Sequence, residues 1–193
     1  MLQHLRAPLV ITALMVVVLG LGYPLAITGI VGLLFPDRAG GSLIHDSSGR
    51  VIGSALIGQD FVRPQYLHPR PSAAGEGYDP QHASGSNFGP LNPRLIERIS
   101  TAAAAYRREH DIGLVPADAV TVSASGLDPD ISPENARLQA PRMASARRLP
   151  LSQVLTVIGE YTRQPTLGFI GQPRVNVLAV NRALDALAMN TKG

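Results

Sequence analysis

The N-terminal apolar run is the feature that most constrains the fold of this chain. No charged residue occurs between Ala7 and Phe35. As a helix, the run would extend about 43 Å at 1.5 Å per residue, which exceeds the roughly 30 Å of hydrocarbon in a bilayer. A cleavable signal peptide is the competing interpretation, but its apolar region normally has about 7–15 residues. We therefore interpret residues 1–36 as a retained, single-pass transmembrane anchor and residues 37–193 as one soluble domain.

Small residues recur along the second half of this span. Gly22, Ala26 and Gly29 are spaced i, i+4 and i+7 and share one face of a helix, and Gly32 lies beside them. Small side chains let helix backbones approach closely in lipid, so this stripe predicts packing against a partner helix. The alternative is the ordinary frequency of glycine in membrane helices. Pro24 predicts a kink or a change of direction within the helix.

The charges beside the span specify its orientation weakly. Arg6 and His4 precede the apolar run, and Arg38 follows it closely. The positive-inside rule then favours a cytoplasmic N-terminus and an extracytoplasmic soluble domain. We expect the membrane to be the cell (inner) membrane.

Composition excludes several functional classes. The chain has no cysteine, which rules out disulfides, thiolate metal sites and a cysteine nucleophile. Its net charge of +3 is too small to favour nucleic acid. A P-loop needs a lysine beside Ser or Thr, and only Lys192, the penultimate residue, is a lysine among seventeen basic residues. No P-loop is therefore present, and we predict no metal site and no catalytic residue.

The remaining sequence predicts an α+β domain with several helices and a small β-sheet. The turn sequence "DSSG" separates two β-forming runs, predicting a hairpin of Ser42–His45 with Val51–Ile57. Asn92-Pro93 and Ser132-Pro133 are typical starts of helices, the first continuing to about Glu109. Residues 119–126 predict a strand or extended segment, and Pro141 predicts a break or kink in the second of these helices. A further helix is expected at 149–162, with one apolar face formed by Leu151, Val154, Leu155 and Ile158. The last expected element is a C-terminal helix, whose apolar face contains Val177, Leu178, Leu184 and Leu187.

A polar stretch between Arg70 and Pro90 carries the residue types of several kinds of site. Asp79, His82 and Ser84 or Ser86 could form a hydrolytic triad, but triad members normally converge from separate elements rather than from eight consecutive positions. Gly85, Ser86 and Asn87 could form an anion-binding nest, although such loops are often simple turns. We expect an ordered loop with a candidate partner-contact surface, formed by Ser72, Ser84, Gly85, Ser86 and Asn87.

Several motifs in a fixed order resemble those of one known family. They are "GYPLAITG", "GSLI", "RVIGSALIGQDF", "RPSAAGEGYDPQHASGSN", "VTVSASGLDPDISPENARLQAPRMASAR" and "IGQPRVNVLAVN". Together they cover nearly the whole chain and resemble the KdpC family, the C subunits of bacterial Kdp potassium-transporting P-type ATPases.

The resemblance implies an accessory subunit, not an enzyme by itself, in a high-affinity ATP-driven potassium import complex. The implied partners are a channel-like potassium-binding subunit, a P-type ATPase subunit and a small single-span peptide. The family is described as assisting assembly and as a catalytic chaperone that raises the ATP affinity of the ATPase subunit. ATP as a cofactor is implied by this resemblance only, and an extracytoplasmic domain could not reach cytoplasmic ATP. The alternatives from the residues are a membrane-anchored extracytoplasmic serine hydrolase and a secreted binding protein.

Overall fold

The computed structural model describes residues 2–190, and the chain divides into two compact units between Ser54 and Ala55. The first unit contains the apolar helix and a short hairpin, and the second contains most of the helices and a small sheet. This confirms the predicted α+β fold with one N-terminal apolar helix. The proposed boundary between residues 36 and 37 was drawn from membrane topology and stays a prediction.

The apolar run forms one nearly continuous helix. It comprises α1 (Leu2–Met15), a π-helical turn (Val16–Gly22) and α2 (Tyr23–Leu34). Residues Leu5–Leu34 have a mean hydropathy of 2.3 in their most apolar window, and none of that window is buried within the chain. By length and composition this helix can cross a membrane.

The π-helical turn ends at Gly22, two residues before Pro24. In a regular α-helix the proline ring would clash with the carbonyl four residues earlier, and proline offers no N–H to bond it. Here the N–H of Tyr23 donates to the carbonyl of Val18, five residues earlier, which widens the turn. Pro24 then occupies the first turn of α2, where a missing N–H is tolerated.

A short helix and the predicted hairpin complete the first unit. α3 (Pro36–Ala39) is followed by β1 (Leu43–His45) and β2 (Val51–Ser54), which pair antiparallel. The Asp46 carboxylate accepts the backbone N–H of both Ser48 and Arg50 at 2.9 Å and closes the turn. The hairpin prediction is confirmed, although β2 ends three residues earlier than expected.

In its described residues the second unit contains a short 3₁₀ helix (Pro80–His82), five α-helices and three strands. The α-helices and strands are α4 (Pro93–His110), α5 (Ala117–Val120), β3 (Asp130–Ile131), α6 (Pro133–Arg147), α7 (Leu151–Glu160), β4 (Thr162–Arg163), β5 (Arg174–Asn176) and α8 (Val177–Asn190). The strands form an antiparallel sheet in the order β3-β5-β4. The predicted helix starts are confirmed, because Asn92 and Ser132 accept backbone N–H groups as N-caps.

The core of the second unit lies where α6, α7, α8 and β5 pack together. Apolar side chains from each of these elements are buried there, including Met143, Ile158, Val175 and Leu184. Small residues on α6, such as Ala136 and Ala140, are also fully buried and let α7 approach closely. Leu67, from the irregular segment before α4, completes this cluster.

Three sequence predictions for the second unit need correction. Ala119 and Val120 belong to the helical turn α5 rather than to a strand. Of the two outcomes predicted for Pro141, a break is excluded because α6 continues to Arg147. The buried face of α7 is Val154, Val157 and Ile158, whereas Leu151 and Leu155, which were expected on the same face, are 44% and 39% exposed.

Candidate functional site

A row of polar side chains on α6 organises the most polar part of the second unit. Asn135, Gln139 and Arg142 are spaced i, i+4 and i+7 and therefore share one helical face. Asn135 and Gln139 are only 1% and 2% exposed, so each buried amide needs hydrogen-bond partners. The structure supplies these partners from segments far away in sequence.

Two buried amides hold the backbone of the extended segment before α4. Gln139 accepts from the N–H of His68 through Oε1 at 2.8 Å and donates to its carbonyl through Nε2 at 3.2 Å. Asn181 on α8 bonds both backbone groups of Leu67 in the same way, at 2.7 and 3.0 Å. These side-chain amides supply the backbone hydrogen bonds that a neighbouring β-strand would otherwise provide to this extended segment.

Arg142 continues this attachment toward solvent. Its guanidinium donates to the carbonyls of Pro64 and Tyr66 at 2.6 and 3.0 Å, and its Nε lies 3.1 Å from Glu109 Oε1 on α4. The same group lies 3.2 Å from His68 Nε2. One half-buried cation therefore ties α4, α6 and the irregular segment together.

A second chain of hydrogen bonds runs from α4 to α5 through the start of α6. The Tyr106 hydroxyl donates to Asn135 Oδ1 at 2.7 Å, and Asn135 Nδ2 donates to Asp118 Oδ2 at 3.1 Å. Asp118 also accepts the backbone N–H and the hydroxyl of Ser132. A carboxylate at this position is favoured by the partial positive charge of the α6 N-terminus.

A cleft of about 380 Å³ lies beside these two networks. Its lining includes Asp60, Tyr78, Tyr106, Glu109 and His110. Burial raises the pKa of both tyrosines, so their hydroxyls stay protonated and act as hydrogen-bond donors. The Tyr78 hydroxyl donates to the carbonyl of Arg70. Both tyrosine hydroxyls are therefore already hydrogen-bonded within the chain, which favours a rigid polar surface over a reactive site.

Two histidines face the same region. Burial is the main cause that lowers the pKa of His68 below its usual value of 6.5, and the charge of Arg142 lowers it further. Burial also lowers the pKa of His110, where Glu109 acts in the opposite direction and Arg142 in the same direction. Both imidazoles are therefore neutral at pH 7.

The cleft does not fit ATP, the cofactor that the family resemblance implies. A triphosphate requires cations or backbone N–H groups that are free to bind it. The walls of this cleft carry the carboxylates of Asp60 and Glu109, and Arg142 is already bonded to carbonyl groups and to Glu109.

A second concavity, of about 440 Å³, fits a nucleotide no better. Its two arginines are paired with carboxylates, Arg70 with Asp128 at 2.9 Å and Arg174 with Asp130 at 3.0 Å. A third carboxylate, Asp118, occupies the nearby N-terminus of α6. Negative charge therefore dominates where the phosphates would have to lie.

The candidate contact loop is built into the second unit by its own hydrogen bonds. The Ser72 hydroxyl accepts the N–H of Ala74 and Tyr78, and the Ser86 hydroxyl accepts from Arg98 at 3.3 Å. Its remaining members are Ser84, which donates to a backbone carbonyl, Gly85, which packs on the backbone of residues 123 and 124, and Asn87, which has a left-handed φ of 52°. The loop is thus ordered, as expected, and its role in partner contact stays a prediction.

The structure does not assemble the hydrolytic triad considered from the sequence. His82 Nδ1 lies 2.6 Å from Asp79 Oδ2, so the acid–base half of the arrangement exists. However, the Ser84 hydroxyl donates to the carbonyl of Gly85 and the Ser86 hydroxyl accepts from Arg98. Within the described residues, neither hydroxyl is bonded to His82, and the structure gives no support to a serine hydrolase.

Within the described part of the first unit, the small residues of the span form no contact that would explain them. A Cβ built on Gly29 or Gly32 meets nothing within 4 Å, and one built on Gly22 meets only the Val17 carbonyl at 3.7 Å. Ala26 is likewise exposed. Partner packing at these positions stays a prediction.

Sequence reasoning missed the residues that organise the cleft. Asn135, Gln139 and Arg142 lie in the motif "ENARLQAPR", where their i, i+4, i+7 spacing is a signal of a shared polar face. Asn181 offered no such signal, because it lies in the mainly apolar sequence of α8, which was interpreted only from its apolar face. Their partners at positions 67 and 68 lie 71 to 114 residues away.

These features define a class of protein: a small α+β domain joined to one exposed apolar helix of membrane-spanning length. The chain matches the family described as "KdpC: K+-transporting ATPase, c chain" over residues 5–186. It is therefore a member of the KdpC family of potassium-transporting ATPase subunits.

Individual relatives agree with the family match over almost the whole chain. Proteins named "Potassium-transporting ATPase KdpC subunit" are 62% identical over 186 residues in Caulobacter vibrioides and 56% identical over 188 residues in Beijerinckia indica. A third, from Mycobacterium bovis, is 48% identical over 190 residues. The matches cover 96%, 96% and 97% of this chain and 94%, 95% and 100% of the respective relatives.

Proposed function

We propose that this chain is a non-catalytic accessory subunit of an ATP-driven potassium import complex. Its single membrane-spanning helix anchors it in the cell membrane with a cytoplasmic N-terminus, and residues 37–193 lie on the extracytoplasmic side. The observation that carries this proposal is the continuous family match over residues 5–186, which includes both the apolar helix and the α+β unit. A protein that kept only the domain or only the anchor would not give such a match.

The proposed partners are a channel-like potassium-binding subunit, a P-type ATPase subunit and a small single-span peptide. The exposure of the apolar helix over Leu5–Leu34 supports association within the membrane, because none of its most apolar window is buried by the chain itself. The stripe of Gly22, Ala26, Gly29 and Gly32 is the proposed face for a partner helix.

The proposed effect on the ATPase is indirect. The chain supports assembly and, as a catalytic chaperone, raises the ATP affinity of the ATP-hydrolysing subunit without binding the nucleotide itself. The unsuitability for a triphosphate of the two polar concavities described above supports this division of roles. The influence on the nucleotide site then passes through contacts between subunits.

The proposal is tested by purifying the chain with an affinity tag from native membranes in mild detergent. Three partner chains should be recovered with it, and recovery of the chain alone under conditions that preserve the complex would contradict the proposal. ATP hydrolysis by the complex with and without this chain then separates the two roles. We expect omission to raise the KM for ATP, and the purified chain alone to show no binding of a fluorescent ATP analogue.

Protease accessibility tests the orientation independently. In sealed right-side-out vesicles, an added protease should cleave the second unit. Cleavage only after the vesicles are opened would place that unit on the cytoplasmic side and overturn this part of the proposal.

A further inference from the structure

An uncharged hairpin between β4 and β5 presents large apolar side chains to solvent. No charged residue occurs from position 164 to position 173. Leu167, Phe169 and Ile170, which we call the apolar tip, are 79%, 76% and 52% exposed. Such neighbouring apolar side chains contribute nothing to the core, and an exposed apolar patch of this kind usually marks an interaction site.

The backbone of the hairpin holds the tip in one defined shape. Thr166 and Ile170 exchange two backbone hydrogen bonds, both 2.9 Å long. Between them, Leu167 adopts a left-handed φ of 56°, which is unfavourable for a residue with a branched side chain. The turn therefore holds Leu167 and Phe169 exposed to solvent at some cost in backbone strain.

Cationic residues flank the uncharged segment on both strands. Arg163 on β4 is exposed, and the Arg174 side chain on β5 is 45% exposed while its Nε lies 3.0 Å from Asp130. An apolar tip beside an exposed arginine matches a bilayer surface, where the apolar groups enter the acyl boundary and the Arg163 guanidinium remains among the phosphates.

We propose that the apolar tip inserts into the headgroup and acyl boundary of the bilayer in which this chain's own helix is anchored. Three side chains are far fewer than the 20–30 residues a side that a stable protein interface normally uses. Shallow insertion of a few apolar groups suffices for a lipid contact, especially when a covalently attached anchor keeps the protein at the membrane. The inference goes beyond the proposed function, because it requires membrane anchoring but no partner subunit.

Because the chain has no tryptophan, a single substitution provides a specific probe of the tip. The Phe169→Trp variant of the full chain is reconstituted into anionic vesicles that contain brominated phospholipids, which quench tryptophan at short range. We expect emission at shorter wavelength and strong quenching by the brominated lipid. The matched control is Leu114→Trp, at a residue that is 87% exposed in the segment between α4 and α5 and should be quenched much less.

The same tryptophan probe distinguishes contact of the apolar tip with lipid from contact with water or with a partner protein. Equal, weak lipid quenching of both variants, with strong quenching of the tip by aqueous iodide, would overturn the inference. In the assembled complex, a shift to shorter wavelength without lipid quenching would assign the tip to a partner protein and would also overturn it. Substitution Arg163→Glu should reduce lipid quenching of the tip in anionic vesicles more than in neutral ones. Recovery of partner chains is a separate measurement, so failure here leaves the proposed function untouched.

Discussion

The Asn181 side chain holds both backbone polar groups of Leu67, although the two residues lie 114 positions apart. Oδ1 accepts the N–H at 2.7 Å and Nδ2 donates to the carbonyl at 3.0 Å. Asn181 is 1% exposed and Leu67 is fully buried. The irregular segment is thus fixed to α8 by an amide acting as a substitute for a β-strand.

Replacing Asn181 with leucine should strongly destabilise the second unit. The substitution removes two hydrogen bonds and leaves a buried N–H and a buried carbonyl without partners, so we expect a loss of about 2–5 kcal/mol. Urea unfolding of the full chain in detergent, followed by circular dichroism, measures the change in midpoint.

The matched control is Asn92→Ala, which removes the N-cap bond to Arg94 N at an accessible helix start. Its expected cost is about 1 kcal/mol. If the two variants unfolded at the same denaturant concentration, the two-point attachment of Leu67 would not be a major source of stability.

The neutral histidines predict that stability falls in mild acid. Because the folded pKa values of His68 and His110 are lowered, the unfolded chain binds more protons below their usual value of 6.5. Their contribution to stability is complete above about pH 6.5 and decreases as the pH falls toward and through the folded pKa values. Protonation would also place positive charge beside Arg142, which lies 3.2 Å from His68.

Melting temperatures of the full chain at several pH values between about 7.5 and 5 measure this effect. The double variant His68→Gln and His110→Phe should show a shallower decrease, because a phenylalanine can keep the ring contact with Tyr106 and neither new side chain titrates. Parallel curves for the native and variant proteins would show that other groups cause the acid sensitivity.

Substitution of Gly126, in the loop before β3, is predicted to cause a severe packing defect. Gly126 has a φ of +69°, and a Cβ at this position would lie 2.5 Å from the Ser84 carbonyl oxygen and 2.7 Å from Ala74 N. Both neighbours are backbone atoms and cannot rotate away. Gly126→Ala should therefore cost about 2–4 kcal/mol through strain and overpacking together.

Two control glycines separate these causes. Gly77 has a φ of +120° but open space at its Cβ, so its alanine variant should show backbone strain alone, about 1–2 kcal/mol. Gly113 has open space and no positive φ, so its alanine variant should be nearly neutral. A Gly126→Ala variant no less stable than Gly77→Ala would contradict the close backbone approach.

The helix starts and the hairpin turn were predicted correctly because the interactions that form them involve only residues close together in sequence. Asn92-Pro93 and Ser132-Pro133 specify helix starts because the cap and the first turn involve neighbouring residues only. The hairpin around Asp46 was predictable for the same reason. The resemblance to the KdpC family, carried by motifs spread over the chain, was confirmed by the comparisons.

The organisation of the cleft could not be predicted in this way. His68 and Gln139 lie 71 residues apart, and nothing in either local sequence indicates that they meet. The face of α7 was misassigned because leucine and valine positions gave two overlapping apolar stripes. Packing against α6 and α8 then buried Val157 and left Leu155 partly exposed.

Bulk added to the small-residue stripe of the span should weaken the complex without affecting the isolated chain. A Cβ added at Gly29 or Gly32 meets nothing within 4 Å in the described residues, so we expect Gly29→Leu and Gly32→Leu to be tolerated by the isolated chain. If a partner helix packs there, the leucine holds the two backbones apart and recovery of partner chains in mild detergent should fall. The matched control is Ala13→Leu, in α1 and outside the stripe, which should leave recovery unchanged. Equal recovery with all three variants would mean that these glycines are ordinary residues of a membrane helix.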